Sequence, residues 1–260
     1  MQVAFCSIAY RHHHDLRLEQ VAEAISSHGY DALEVWGNHL QAEGPAAVKA
    51  LLARYGWPVP MISPYFDFTF TRAAWEQSII VAREFVDSAA ALNCPLVRAF
   101  TGHVPSAEAT PAQWHACAEG LRAVCDLAKP AGIRIALETH PGQLLDTWPA
   151  VLRLLEATQR DNLGVNYQPG TFPPDADMEA IAHLGPHILH VHYNNPSPLA
   201  RRTRRGYDAA GFPNWVRIIE TLAQQGYPGY LSVEELPEPI ERYAAIELAY
   251  LRGLLSAHVS

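Results

Sequence analysis

The sequence predicts an α/β protein: a single (β/α)8 barrel of the TIM type, with its active site at the C-terminal end of the strands. Three observations carry this expectation. Strand, polar loop and helix patterns recur about eight times along the chain. The repeats average roughly 32 residues, the usual allotment for a barrel of about 250. One rule of side-chain phase turns polar residues from separate strands toward a common axis.

Taken in order, Val3–Ile8 is the first strand and Leu18–His28 the helix after it, closed by Gly29. Ala32–Trp36 alternates about Glu34 and leads to the helix Ala46–Tyr55, stopped by Gly56. Val59–Ile62 is a short apolar strand, followed by the long helix Ala73–Leu92. Leu96–Phe100 alternates about Arg98 and precedes Pro111–Ala128, whose proline lies in a first turn after Thr110. Ile133–Glu138 has two faces, with Ile133, Ile135 and Leu137 opposite Arg134, Ala136 and Glu138. A Pro-Gly turn and the helix Trp148–Thr158 follow at once, so this strand is read as buried on both faces. Leu163–Tyr167, Met178–Leu184, Ile188–His192, Trp215–Gln225, Tyr230–Glu234 and Ile240–Leu255 complete the alternation, with Gly226 after the seventh helix. No linker or composition break interrupts residues 1–260, so one domain is expected. A doubly wound open sheet is the alternative. Ile8-Ala-Tyr-Arg-His12 is not the glycine-rich phosphate loop that usually follows its first strand.

Apolar residues of a barrel strand face the helices, and alternate residues face the axis. Leu33 with Val35, Val97 with Ala99, and Leu163 with Val165 and Tyr167 fit the outer face. So do Leu189 with Val191 and Tyr193, and Leu231 with Val233. This phase sends Glu34, Arg98, Glu138, His140, Gln168, His192 and Glu234 inward, and leaves Glu235 outside. Gly164, Asn166, His190 and Asn194 share the inward phase. So many converging polar groups are costly to bury unless they satisfy one another or a ligand.

Composition limits the function classes. A formal net charge of −8 argues against a nucleic-acid partner, which needs a basic surface. No apolar run approaches membrane-spanning length, and the first residues lack the basic and apolar regions of a signal peptide. Cys6, Cys94, Cys117 and Cys125 form no CxxC pair, which fits reduced thiols in a cytoplasmic protein. A homo-oligomer is compatible with this composition. His12-His13-His14 reads as part of a strand-to-helix loop.

Glu138, His192 and Glu234 offer two oxygens and one nitrogen from three strands, and Gln168 could add an amide oxygen. Such a donor set suits a divalent metal, Mn, Mg, Co or Zn, acting as a Lewis acid on a carbonyl. His140 is then the candidate general base for a proton α to that carbonyl. Arg98 could anchor a substrate carboxylate or phosphate, or could be ion-paired to Glu34 or another neighbour. Tyr65 could place its hydroxyl over the pocket or could simply pack. The Arg201-Arg-Thr-Arg-Arg205 run could gather an anionic substrate or could be a solvated loop.

These pieces resemble the xylose isomerase-like barrel superfamily, which holds sugar and sugar-phosphate isomerases and epimerases, and endonucleases that act at abasic sites. Within it the chain is similar to bacterial dehydroshikimate dehydratases of siderophore pathways. The matching pieces are Phe5-Cys-Ser-Ile-Ala-Tyr-Arg-His12, Leu33-Glu-Val-Trp-Gly-Asn-His39, Met61-Ile-Ser-Pro-Tyr65 and Val97-Arg-Ala-Phe-Thr-Gly102. Leu137-Glu-Thr-His-Pro141, Leu145-Asp-Thr147 and His190-Val-His192 complete them. The resemblance implies an ion held at Glu138, Gln168, His192 and Glu234, a base at His140, and substrate contacts at Tyr65 and Arg98. Glu34, Asn194 and His12 complete the substrate-binding set expected here. The sequence departs from that family where Gln168 replaces a ligand Asp, Thr171 a His, and Asn194 a Lys. The chain also looks shorter around the loop after the seventh strand.

The first expectation is therefore a metal-dependent enzyme that abstracts a proton α to the carbonyl of a small hydroxy-ketone and eliminates water. The second is an isomerase or epimerase of a sugar or sugar phosphate. The third is a barrel that has lost its metal and its catalysis. An abasic-site endonuclease is disfavoured, because that class uses a larger His-rich zinc cluster and a basic surface.

Overall fold

Eight short segments, buried on both faces, close into a sheet. In the computed structural model, which describes residues 1–172, 176–194 and 214–257, all eight strands run parallel. They are β1 (Gln2–Cys6), β2 (Ala32–Trp36), β3 (Ile62–Ser63), β4 (Leu96–Ala99), β5 (Arg134–Glu138), β6 (Leu163–Tyr167), β7 (Ile188–Asn194) and β8 (Tyr230–Glu235). They pair in sequence order, and β8 returns to β1. Around them lie α1 (Leu18–Ile25), α2 (Gly37–Glu43), α3 (Pro45–Tyr55), α4 (Arg72–Leu92) and α5 (Pro111–Ala128). The ring continues with α6 (Trp148–Thr158), α7 (Ala176–Leu184), α8 (Trp215–Gln224) and α9 (Ile240–Ala257).

Local chemistry fixes the helix ends. Thr110 Oγ1 accepts from Gln113 N at 3.3 Å, while Gln113 Oε1 accepts from Thr110 N at 3.0 Å, a reciprocal cap in front of Pro111. Gly56 closes α3 at φ 67°, a left-handed conformation that costs any side chain. Two expectations change at this level. Gly37–Glu43, between β2 and the predicted helix, is itself helical. The expected third strand from Val59 is reduced to Ile62–Ser63, because those two residues alone keep register with β2.

The outer faces of the strands bury as the alternation requires. Leu33, Val35, Val97, Ala99, Val165 and Tyr167 lie in one apolar layer with helix residues such as Leu121, Ile218 and Leu248. Each such large aliphatic side chain contributes roughly 1.5–3 kcal/mol by leaving water. Inside the barrel the floor is apolar, formed by Met61, Leu96, Ala136 and Leu189. Leu189 was expected to face the helices. A register shift pairs Val165 with Ile188 but Asn166 with His190, so Leu189 is an extra residue that turns inward. Gly164 leaves it room, since a Cβ there would lie 2.5 Å from Leu189 Cγ.

The four cysteines are free and buried, and burial pushes the Cys94 and Cys125 thiols up to about 12. Among the described residues, no helix is long and apolar enough to cross a membrane. The Arg201–Arg205 run lies outside the described residues.

Candidate active site

At the C-terminal mouth of the barrel, a cavity of about 280 Å³ opens above the inward-facing polar residues. Glu138 ends β5, His192 lies on β7 and Glu234 on β8. His192 Nδ1 stands 3.4 Å from Glu138 Oε2 and 3.2 Å from Glu234 Oε2. One ligand atom from each of the three residues lies within 4.8 Å of the other two. The Gln168 amide is 3.2 Å from Glu138 Oε1 and 3.3 Å from Glu234 Oε2. With its nitrogen turned to them it donates to both carboxylates; with its oxygen turned to them it completes a ring of donor atoms.

Arg98 lies beneath this ring and is wholly buried. Its Nη1 donates to Glu138 Oε2 at 3.0 Å. Nη2 donates to Ser63 O at 3.2 Å, and Nε is 3.4 Å from Pro64 O. The Tyr65 and Phe100 rings cover it, 4.7 and 4.6 Å from Cζ. Of the two sequence readings of Arg98, the geometry is that of the ion pair, with Glu138 in place of the suggested Glu34. A guanidinium spent in this way has no fork left for a substrate carboxylate.

Glu34 does not line the cavity. It is fully buried below it, where its Oε1 is 3.1 Å from His192 Nε2 and its Oε2 is 2.9 Å from His190 Nε2. Ser63 Oγ also donates to it. Its place under His192 is that of a support, and the expected substrate contact is corrected accordingly. His12 points to solvent and is not in the cavity wall; its neighbour Arg11 is, paired with Glu235 at 2.8 Å. A loop residue has no strand phase to aim it, which is why the adjacent position could be chosen wrongly.

His140 is half-buried at the rim. Its Nδ1 is 2.7 Å from the Pro141 carbonyl, which can only accept, so Nδ1 carries the proton and Nε2 keeps a lone pair. Tyr65 is half-exposed and stacks on Phe100, ring centroids 5.4 Å apart and nearly parallel. Asn194 is half-buried in the wall, and Thr171 Oγ1 donates to Thr139 O at 3.0 Å outside it.

The profile of the xylose isomerase-like TIM barrel family matches residues 22–254. The chain belongs to that family. Among its relatives is the 3-dehydroshikimate dehydratase of Bacillus anthracis, 27% identical over 209 residues, 76% of this chain and 72% of that protein. The inosose isomerase of Halalkalibacterium halodurans is 24% identical over 229 residues, 84% of this chain and 75% of that one. The crystal structure of the probable 3-DHS dehydratase AsbF from Bacillus anthracis superimposes with a TM-score of 0.80 at 22% identity, covering 97% of this chain and 99% of that one.

In this xylose isomerase-like barrel, four site residues escaped the sequence reading. Asn166 and His190 had the right phase but were not singled out. Asn166 Nδ2 lies 3.0 Å from Glu138 Oε2. Glu235 was placed outside by strict alternation. The structure pairs Tyr193 with Val233 but Asn194 with Glu235, so Glu234 is the extra residue and Glu235 also reaches the mouth. Arg11, its partner, had no signal beyond its place after the first strand.

The electrostatics follow from crowding three carboxylates into a dry site. Burial alone would raise Glu34, but His192 and His190 hold it well below the usual carboxylate range. Burial raises Glu138 against the pull of Arg98 and His192. Burial would also keep His192 neutral, but Glu234, Glu34 and Glu138 push it well above the usual imidazole range. Burial opposes the charge of Arg98 too, and Glu138, Tyr65, Glu234 and Glu34 together more than restore it. Three carboxylates balanced by one guanidinium leave two negative charges when His192 is neutral. A divalent cation would cancel them. The separations of 3.2 and 3.4 Å match the ligand-to-ligand edges of about 3.0–3.4 Å expected around an ion with bonds near 2.1 Å. The residues present could hold a metal ion.

Proposed function

We propose that the protein is a divalent-metal-dependent enzyme that abstracts a proton α to the carbonyl of a small hydroxy-ketone, most like a 3-dehydroshikimate dehydratase. The observation that carries this reading is one cavity whose wall holds Glu138, Glu234 and His140, with the buried His192 Nδ1 3.4 and 3.2 Å from the two carboxylates. The similarity to a dehydratase and an isomerase of small cyclic compounds supports it.

Glu138, His192 and Glu234 would hold the ion, with the Gln168 amide oxygen as a fourth donor. When bound, such an ion supplies a Lewis acid for the substrate's carbonyl oxygen. His140 Nε2 removes the α proton, and the C–H electron pair becomes the new C=C bond. As the carbonyl re-forms, the bond to the β hydroxyl breaks, and hydroxide leaves with the proton from His140 as water. Asn166 and Arg98 keep Glu138 fixed, and the Tyr65–Phe100 pair covers Arg98 from water. With dehydroshikimate, loss of water and tautomerisation give the aromatic protocatechuate. The preferred ion is proposed to be Mn²⁺, Mg²⁺, Co²⁺ or Zn²⁺, and the partner a small molecule rather than nucleic acid.

The test is ultraviolet absorbance on mixing enzyme, each of these ions and dehydroshikimate. A rising aromatic band supports the dehydratase, and no band with any ion removes it. A second reading, an epimerase or isomerase of a neutral sugar, is favoured by one feature. Among the described residues, both arginines of the cavity wall are already paired with carboxylates, and Asn194 stands where the dehydratase family has a lysine. Proton removal and return would then exchange solvent deuterium into a ketose, which mass spectrometry detects without any aromatic product.

A further inference from the structure

A second cavity, of about 410 Å³, adjoins the one lined by Glu138 and Glu234. The two share Tyr65, Phe100 and His140 as a common wall. The far side is built by the start of α4 and the loops after β3, β4 and β5, with apolar surface from Phe66, Ala74, Val81 and Pro141.

Three polar residues of this chamber, Asp67, Ser78 and Gln143, are bonded to its own walls, and two more, Gln77 and His103, are exposed where it meets solvent. Asp67 Oδ1 accepts from Thr69 N at 2.9 Å and Phe70 N at 3.1 Å. Ser78 Oγ accepts from Asp67 N at 2.8 Å and donates to Asp67 O at 3.1 Å. Gln143 Oε1 accepts from Thr101 N at 3.3 Å. Gly102, at φ +118°, lets that wall close, since a Cβ there would lie 2.0 Å from Thr69 Oγ1. An occupant therefore meets mainly apolar and aromatic surface, one side of which is the Tyr65 ring, 50% exposed.

Ligand pockets commonly span about 300–1,000 Å³. The polar cavity alone suits a six-carbon ring; the apolar chamber beside it has no use for such a ring. Yet it touches the same base, His140. We propose that the substrate is a conjugate. Its hydroxy-ketone ring sits at Glu138, His192 and Glu234, and an aryl substituent crosses the Tyr65–Phe100 stack into the second cavity. This rests on the function proposed above and narrows its substrate class.

The test uses the full chain loaded with Mn²⁺ and two probes, the methyl and phenyl β-glycosides of 3-keto-D-glucose, titrated calorimetrically. The phenyl glycoside is expected to bind at least about tenfold more tightly, the effect of burying most of one ring. Ala74→Trp and Val81→Trp, which fill the chamber from α4, should abolish that advantage and leave the methyl glycoside's affinity unchanged. Circular dichroism and melting temperature verify their fold, and the wild-type comparison decides by itself if a variant does not fold. Equal affinity for the two probes overturns the proposal, as does an advantage that survives both variants. Binding of neither probe overturns it too. A parallel Mn²⁺ titration then separates the cases: if the ion is held, only the conjugate falls, and if it is not, the functional reading falls with it.

Discussion

Gln168 is a neutral amide between two carboxylates, where an acid would have added a third. With Glu34, Glu138, Glu234 and Arg98 charged, a dication brings the site to zero only because Gln168 carries no charge. An aspartate would leave one negative charge in excess, directed at the ion. Gln168→Asp is therefore expected to tighten Mn²⁺ binding by at least about tenfold, roughly 1.4 kcal/mol. A competition titration against a fluorescent chelator reads this directly. Unchanged or weaker binding would place Gln168 away from the ion. In the proposed reaction His140 would work by the opposite logic: it would act through the one nitrogen left open, and the Pro141 carbonyl decides which nitrogen that is.

Between elements, the tie that matters most joins β2 to β7. Glu34 holds His190 and His192 at once, and so aims His192 Nδ1 at Glu138 and Glu234. A carboxylate behind a ligand histidine fixes its tautomer and ring orientation. Glu34→Ala should lose about 3 kcal/mol or more of stability, because two buried imidazoles lose their partner. It should also weaken metal binding by about 10–100-fold. Glu34→Gln, which keeps an acceptor for His192, should retain more of both. Urea unfolding and metal titration measure the pair of effects; an alanine variant that binds metal as the wild type does would contradict the role given to Glu34.

At the scale of the whole molecule, an ion at Glu138, His192 and Glu234 would tie β5, β7 and β8 of one closed sheet. A ligand at a hundred times its Kd adds about 2.7 kcal/mol to the folded state. For a chain of this size that is a rise of about 5–10 °C in Tm. The rise should depend on pH with a definite sign. In the metal-free protein, Glu234, Glu34 and Glu138 outweigh burial and keep His192 protonated above the usual imidazole range, and the ion must displace that proton. Affinity therefore climbs with pH until His192 is neutral without the ion, then levels off. The Mn²⁺-induced rise in Tm should be larger at pH 8 than at pH 6 and should vanish with EDTA. Equal rises at both pH values would show that no proton is released.

Much of this was legible in the chain itself. Alternation is a local property, so Leu33, Val35, Val97 and Ala99 could be assigned to the helix side, and Glu138, His192 and Glu234 to the axis, before any strand was placed beside another. Capping residues and glycines marked helix ends for the same local reason. Tertiary structure alone decided which inward groups meet. That Arg98 binds Glu138 follows from the register of β4 against β5, and that Glu34 reaches His190 and His192 follows from closure, which brings β2 opposite β7. The extra residues at Leu189 and Glu234 also depend on how one strand registers against its neighbour, and no pattern within a single strand encodes that. The sequence thus determined which side chains face the axis, and closure of the barrel determined their partners, because phase is set one residue at a time and pairing only when all eight strands are in place.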